Sequence, residues 1–163
     1  MRVLVTAASR HGATLGVARA IGAELVRAGI DARVEPLEDV QSVDECDGVV
    51  VGSGIYAGHW LGAARDFVDQ YATDLALRPL WLFSSGPLGH PLKPEEEPVD
   101  AAPIATRLGA RGHRVFGGRL DRSQLGLGER AIVRLVRAPD GDYRPWDEIR
   151  SWSAEIAREL QAG

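Results

Sequence analysis

Cysteine occurs once in this 163-residue chain, at position 46, so an internal disulfide and a multi-cysteine metal site are both excluded. Lysine also occurs once, at position 93, and no Gly-x-x-x-x-Gly-Lys-Ser/Thr run is present, which excludes a P-loop nucleotidase. The Gly-x-Gly-x-x-Gly dinucleotide fingerprint is missing too. No acidic pair follows the first strand-like run, against a receiver domain, and no cysteine precedes Arg10, against a cysteine-dependent phosphatase. Cations are not in excess: 19 Lys and Arg against 23 Asp and Glu leave a net charge of −4, without the basic face of a nucleic-acid binder. No apolar run is long enough to span a bilayer and no signal-peptide pattern precedes the first strand. These absences lead us to expect a cytoplasmic protein that binds no nucleic acid and no metal.

What is present is an ordinary globular composition, 45% hydrophobic, without repeats or linkers, and we expect one domain over residues 1–163. Short apolar runs alternate with longer stretches of helical period. Strands are expected at Arg2–Thr6, Ala32–Pro36, Gly48–Ser53, Leu80–Ser84 and Arg114–Gly118. Two of them, "GVVVGS" and "LWLFSS", are apolar almost throughout, as central strands covered on both faces should be. Between the strands, Val17, Ile21, Leu25 and Ala28 recur at helical spacing before Gly29, and Leu61, Ala64, Phe67, Val68 and Tyr71 make a second apolar face. A short helix is expected at Asp100–Ala110, and a last one after Pro145, with Ile149, Trp152, Ile156 and Leu160 buried. Residues 40–45 read as weakly helical.

Strands alternating with helices imply a parallel α/β sheet with right-handed crossovers, which binds ligands at the carboxyl ends of its strands. Three loops leave that edge: "TAASRHGAT", "GSGIYAGHW" and "SSGPLGHP". All three are rich in glycine, serine and histidine. Any chain must turn after a strand, but three such turns on one edge point to a ligand. The first loop feeds a helix, whose free N–H groups and positive dipole end suit a phosphate. Gly12 permits close approach, Ser9 and Thr14 offer hydroxyls, and Arg10 offers charge or points to solvent.

The run Ser9-Arg10-His11-Gly12-Ala13-Thr14 resembles the Ser/Thr-x-x-Gly-x-Thr phosphate loop of the flavodoxins, which cradles the phosphate of FMN. The stretches "GSGIYAGHW" and "ARDFVDQYATDL" are more similar to the flavodoxin-like menaquinone-dependent protoporphyrinogen IX dehydrogenases. The resemblance implies a doubly wound, five-stranded parallel sheet in the order 2-1-3-4-5 with helices on both faces, holding one FMN. It implies that the third loop-forming run (Ser53, Gly54, Ile55, Tyr56, Ala57, Gly58, Trp60) and the fourth (Ser84, Ser85, Gly86, Gly89, ending at His90) grip the flavin ring. Tyr56 or Trp60 is then the stacking aromatic, unless Trp60 opens a helix and packs on the sheet. Gly58, or Gly54 in its place, is either a peptide that flips toward the reduced flavin N5 or a plain turn residue. His59 is the candidate proton-handling catalytic residue, its plainer reading being a half-buried polar side chain. The "PLKPEEEPVDAAP" stretch reads as a solvated rim or flap.

An insert occupies about residues 121–144. Within it Leu127, Ala131, Ile132, Leu135 and Val136 share one helical face, and Arg130, Arg134 and Arg137 another. Such a helix either packs its apolar face on the protein or lies on an anionic membrane, peripheral to the inner face, where a quinone is met. The resemblance therefore implies a quinone-linked protoporphyrinogen IX oxidation. Two alternatives stand beside it: an electron carrier that docks to a redox partner protein, and a flavodoxin-fold protein that has lost FMN.

Overall fold

The computed structural model describes residues 1–89 and 92–163, without the side chains of Ile132, Leu135 and Val136. His90 of the fourth loop, and those three side chains of the expected insert face, lie outside the described residues. In chain order the elements are β1 (Arg2–Ala8), α1 (Ala13–Arg27), β2 (Asp31–Pro36), β3 (Gly48–Tyr56), β4 (His59–Trp60), α2 (Gly62–Gln70) and α3 (Ala72–Ala76). There follow β5 (Leu80–Ser85), α4 (Ala101–Leu108), β6 (Gly112–Phe116), β7 (Arg119–Leu120), α5 (Leu127–Val136), β8 (Gly141–Asp142) and α6 (Trp146–Ala162).

The five long strands are parallel in the order β2-β1-β3-β5-β6, the expected winding with the small β4 counted separately. Strand alternation sorts the core into two layers. Val3, Val5 and Ala7 of β1 face α1 and α6, where Ile21, Leu25, Ile149, Trp152 and Ile156 are buried. Leu4 and Ala8 face the other way, with Val49, Val51, Leu80 and Leu82, against α2 and α4. Phe83 joins the first layer and lies across Gly52 of the neighbouring strand: a Cβ at Gly52 would stand 2.1 Å from the ring.

Two expectations are corrected and one holds. Residues 40–45 are not helical; a 3-10 turn at Leu37–Asp39 precedes irregular chain, anchored by the buried Leu37, Val40 and Val43. Tyr71 keeps its place on the second apolar face, packed on the same core cluster with its ring 4.8 Å from that of Phe67, although α2 itself ends at Gln70. The third ligand loop is a β-hairpin: β3 runs on to Tyr56 and turns through Ala57 and Gly58, and β4 pairs back antiparallel on it. Trp60 therefore lies in β4 and opens no helix; α2 starts two residues later.

Candidate functional site at the strand carboxyl ends

A cleft opens at the carboxyl ends of β1, β3 and β5, where the winding of the sheet reverses direction. It offers about 200 Å³ of room and is walled by the turn after β1, the hairpin, the turn after β5 and the segment between β6 and α6. Of the residues singled out from sequence, it brings together Ser9, Arg10, His11, Ala13, Thr14, Gly54, Ile55, Tyr56, Ala57, Gly58, Ser85 and Gly86.

The β1 turn is built for an anion. Gly12 precedes α1 with φ +85°, a left-handed conformation that a side chain would strain, although the space beside it is empty. The first turn of α1 carries no acidic residue, and no side chain caps it, so its leading N–H groups have no side-chain acceptor. Ser9 Oγ is buried and has no hydrogen-bond partner. Thr14 is only 4% exposed, and a Cβ at Gly54 would stand 3.3 Å from its Oγ1. A buried hydroxyl without a partner next to free helix amides is what a bound phosphate ester would satisfy.

Three expected residues, Ser53, Trp60 and Ser84, lie behind the cleft rather than on its walls. Ser53 is fully buried; its Oγ–H donates to the Gly54 carbonyl at 2.7 Å and its oxygen accepts the Leu61 amide at 3.0 Å. Trp60 is 1% exposed, and its Nε1–H donates to Ser84 Oγ at 2.7 Å, so its ring serves the core and not a stacking face. Ser84 Oγ in turn lies 2.8 Å from His113 Nε2. Gly89 has φ +85° and does not line the cleft, while Leu88 and Lys93, which do, exchange backbone hydrogen bonds at 2.8 and 2.7 Å. The expected solvated flap thus sends Lys93 and Pro94 into the wall, while Glu95, Glu96 and Glu97 stay exposed.

The hairpin tip is held in place. Ala57 (φ +50°) and Gly58 (φ +80°) form a two-residue turn with both φ positive. The Gly58 carbonyl accepts the Val99 amide at 2.9 Å, so it is committed to the flap. His59 stands beside the cleft, half exposed, with Nδ1 3.2 Å from Asp100 Oδ2. The same carboxylate oxygen accepts the Trp60 amide at 2.8 Å. Asp100 precedes α4 without capping it; its carboxylate serves the hairpin instead.

The segment between β6 and α6 supplies what sequence reasoning missed. Arg119 Nη2 donates to the His11 carbonyl at 3.1 Å, and Arg144 Nη1 to the Ala13 carbonyl at 3.1 Å. Arg144 is held by Asp142 through two 2.8 Å bonds and lies 4.5 Å over the Trp146 ring; it occupies the space that a Cβ at Gly16 would need. Glu129 of α5 pairs with His11 Nε2 at 2.8 Å and Arg10 Nη1 at 3.6 Å. Burial raises the Glu129 carboxyl, but the hydrogen bonds from His11 and the Gly126 amide and the nearby Arg10 outweigh it and hold the group below the usual carboxylate range. Arg10 also lies 4.3 Å over the Tyr56 ring, covering one face of it. These partners are more than a hundred residues from the loop, and only an arginine- and acid-rich insert marked them in sequence. On α5, Leu127 is 87% exposed, Ala131 is exposed and Arg130, Arg134 and Arg137 face solvent, so the start of the expected apolar face is not covered by the protein. Among the described residues no helix is long and apolar enough to cross a membrane, and no cluster of side chains suits a metal.

A family model of the flavodoxin domain matches residues 4–145. This chain belongs to that family. The flavodoxin-domain chain is 24% identical to the protoporphyrinogen IX dehydrogenase (quinone) of Escherichia coli K12 over 174 residues, spanning 96% of this chain and 95% of that protein. Among solved structures it is similar to a flavodoxin from the domain Archaea (TM-score 0.68, 20% identity, 99% of each chain). Oxidised flavodoxin 1 from Bacillus cereus is similar as well (TM-score 0.66, 15% identity, 97% of this chain and 98% of that one). The likeness to the solved structures establishes the flavodoxin fold; the cleft of this flavodoxin-domain chain lies at the topological switch point of that fold.

Proposed function

We propose that the cleft binds one FMN and that the protein passes electrons through it from a protoporphyrinogen-like substrate to a quinone. The observation that carries the cofactor assignment is the buried, unpartnered Ser9 Oγ beside the uncapped start of α1. The family match supports it, and the whole-length likeness to a quinone-linked dehydrogenase supports the substrate class. The bound flavin would supply the two-electron chemistry. This chain's residues do the rest. Loop amides from Gly12 to Thr14 and the hydroxyls of Ser9 and Thr14 would hold the phosphate. Ile55, Leu61 and Leu88 line the apolar part of the cleft and exclude water around the ring. With His59 Nδ1 given to Asp100, Nε2 is the ring nitrogen left to take a proton from a substrate at the cleft mouth.

Titrating the cofactor-free protein with FMN tests the binding: flavin fluorescence should quench to a one-to-one end point, and a colourless protein that ignores FMN overturns the proposal. Fluorescent porphyrin should form from a porphyrinogen only when a quinone is supplied. Absence of porphyrin with every quinone tried, in a protein that binds FMN and reduces a partner protein, would leave an electron carrier.

A further inference from the structure

We infer that Glu129 is a specificity-determining residue of the cleft: an internal carboxylate that occupies the cation pair of the β1 turn and competes there with the phosphate of an incoming ligand. The inference rests on the FMN reading above and concerns which form of the ligand the cleft prefers. Three observations carry it. Glu129 lines the same cleft as Ser9 and Thr14 yet comes from α5, a separate part of the chain. Its Oε2 lies 2.8 Å from His11 Nε2 and 3.6 Å from Arg10 Nη1, the two side chains of the turn able to carry positive charge. Its helix also narrows the opening: Glu129 and Val133 line the cleft, with Leu125 just ahead of the helix, and a Cβ at Gly128 would stand 3.4 Å from Tyr56 Oη. The resulting room of about 200 Å³ lies below the ~300–1,000 Å³ usual for small-molecule sites.

A phosphate monoester is an anion, and so is Glu129. An ester seated on the α1 amides therefore meets a like charge at short range, or frees Arg10 and His11 by driving Glu129 and the first turn of α5 outward. Either route subtracts from the affinity for the phosphate and leaves the affinity for the ring untouched. The turn is thus less selective for the phosphorylated flavin than its helix amides and Arg10 would make it. Phosphate loops without such an acid pay no comparable penalty.

The test compares Glu129→Gln with the parent, using FMN and riboflavin, which share the ring and differ in the phosphate. Glutamine keeps the size and removes the charge. It should tighten FMN binding by about tenfold, the low end of what a like charge in contact distance produces near a protein surface, and leave riboflavin binding unchanged. Weaker or unchanged FMN binding overturns the inference, because Glu129 then organises the turn rather than competing with the ligand. An equal shift for both flavins overturns it too, since the effect would lie in the width of the cleft. If neither protein binds FMN, the proposed function fails on its own. Inorganic phosphate, followed through the His11 ring by NMR, then decides: tighter binding to Glu129→Gln supports the competition and equal binding refutes it.

Discussion

Replacing Ser9 by alanine should move stability and affinity in opposite directions. In the cofactor-free fold Ser9 Oγ is buried with no partner, and a buried hydroxyl left unpaired costs about 1–3 kcal/mol of desolvation. Removing it should stabilise the free protein by about 1 kcal/mol. With a denaturant slope of about 1–3 kcal/mol per molar urea, the unfolding midpoint should rise by roughly 0.3–1 M. In the complex the same hydroxyl would donate to a phosphate oxygen, and hydrogen bonds to charged groups contribute about 1.5–3 kcal/mol. The variant should therefore bind FMN roughly 10- to 150-fold more weakly, at about 1.4 kcal/mol per factor of ten. Urea unfolding of the cofactor-free protein and flavin fluorescence titration measure the two effects separately. Thr6→Val is the control: Thr6 Oγ1 is also buried without a partner, but Thr6 does not line the cleft. It should gain stability and keep its affinity. A lower urea midpoint for Ser9→Ala, or an unchanged FMN affinity, would refute the reasoning: the first would mean the hydroxyl serves the free fold, the second that it lies away from the ligand.

Ala57→Gly should stabilise the protein by about 0.5–1 kcal/mol in urea unfolding: Ala57 sits at φ +50°, where relief of about 1–2 kcal/mol exceeds the added freedom of the unfolded chain, about 0.4–1 kcal/mol. A loss of stability would show that the Ala57 methyl packs against the cleft wall. Gly52→Ala should destabilise by about 1–3 kcal/mol, because its Cβ would stand 2.1 Å from the Phe83 ring; a thermal midpoint equal to the parent's would mean the ring has somewhere else to go. His113 governs a pH effect. Burial pushes its pKa down, opposed by Glu97, and its Nε2 is engaged with Ser84. The unfolded chain therefore takes up the proton more readily, and stability held above the ordinary histidine value of about 6.5 is lost as pH falls below it. His113→Gln should flatten the urea midpoint between pH 7.5 and 5 (roughly one unit either side of that value); an unaltered slope would assign the loss to other groups.

The strands and helices were legible because their causes are local, while the order of winding came from the resemblance. Short β-branched or aromatic runs such as "GVVVGS" and "LWLFSS" suit covered strands, and the spacing of Ile149, Trp152, Ile156 and Leu160 suits a buried helical stripe. The hairpin was not legible, since its turn is Ala57-Gly58 and lacks the Asn-Gly or Asp-Gly that usually marks two positive φ values. Trp60 was misplaced for the same reason: once β3 runs on to Tyr56, pairing directs the indole inward to Ser84. The β1 turn could be read from Gly12, Ser9 and Thr14. Its neighbours could not, because Arg119, Glu129 and Arg144 reach it from residues separated by more than a hundred positions and no periodicity links them.

That separation has a temporal side. The residues of the β1 turn are synthesised well before Arg144, whose guanidinium steadies the Ala13 carbonyl from 131 positions further along the chain. Until Arg144 has emerged, the bend that leads into α1 lacks that brace. A product cut short before Arg144 would be expected to fold its early strands yet bind a phosphate ester more weakly than a chain that includes it.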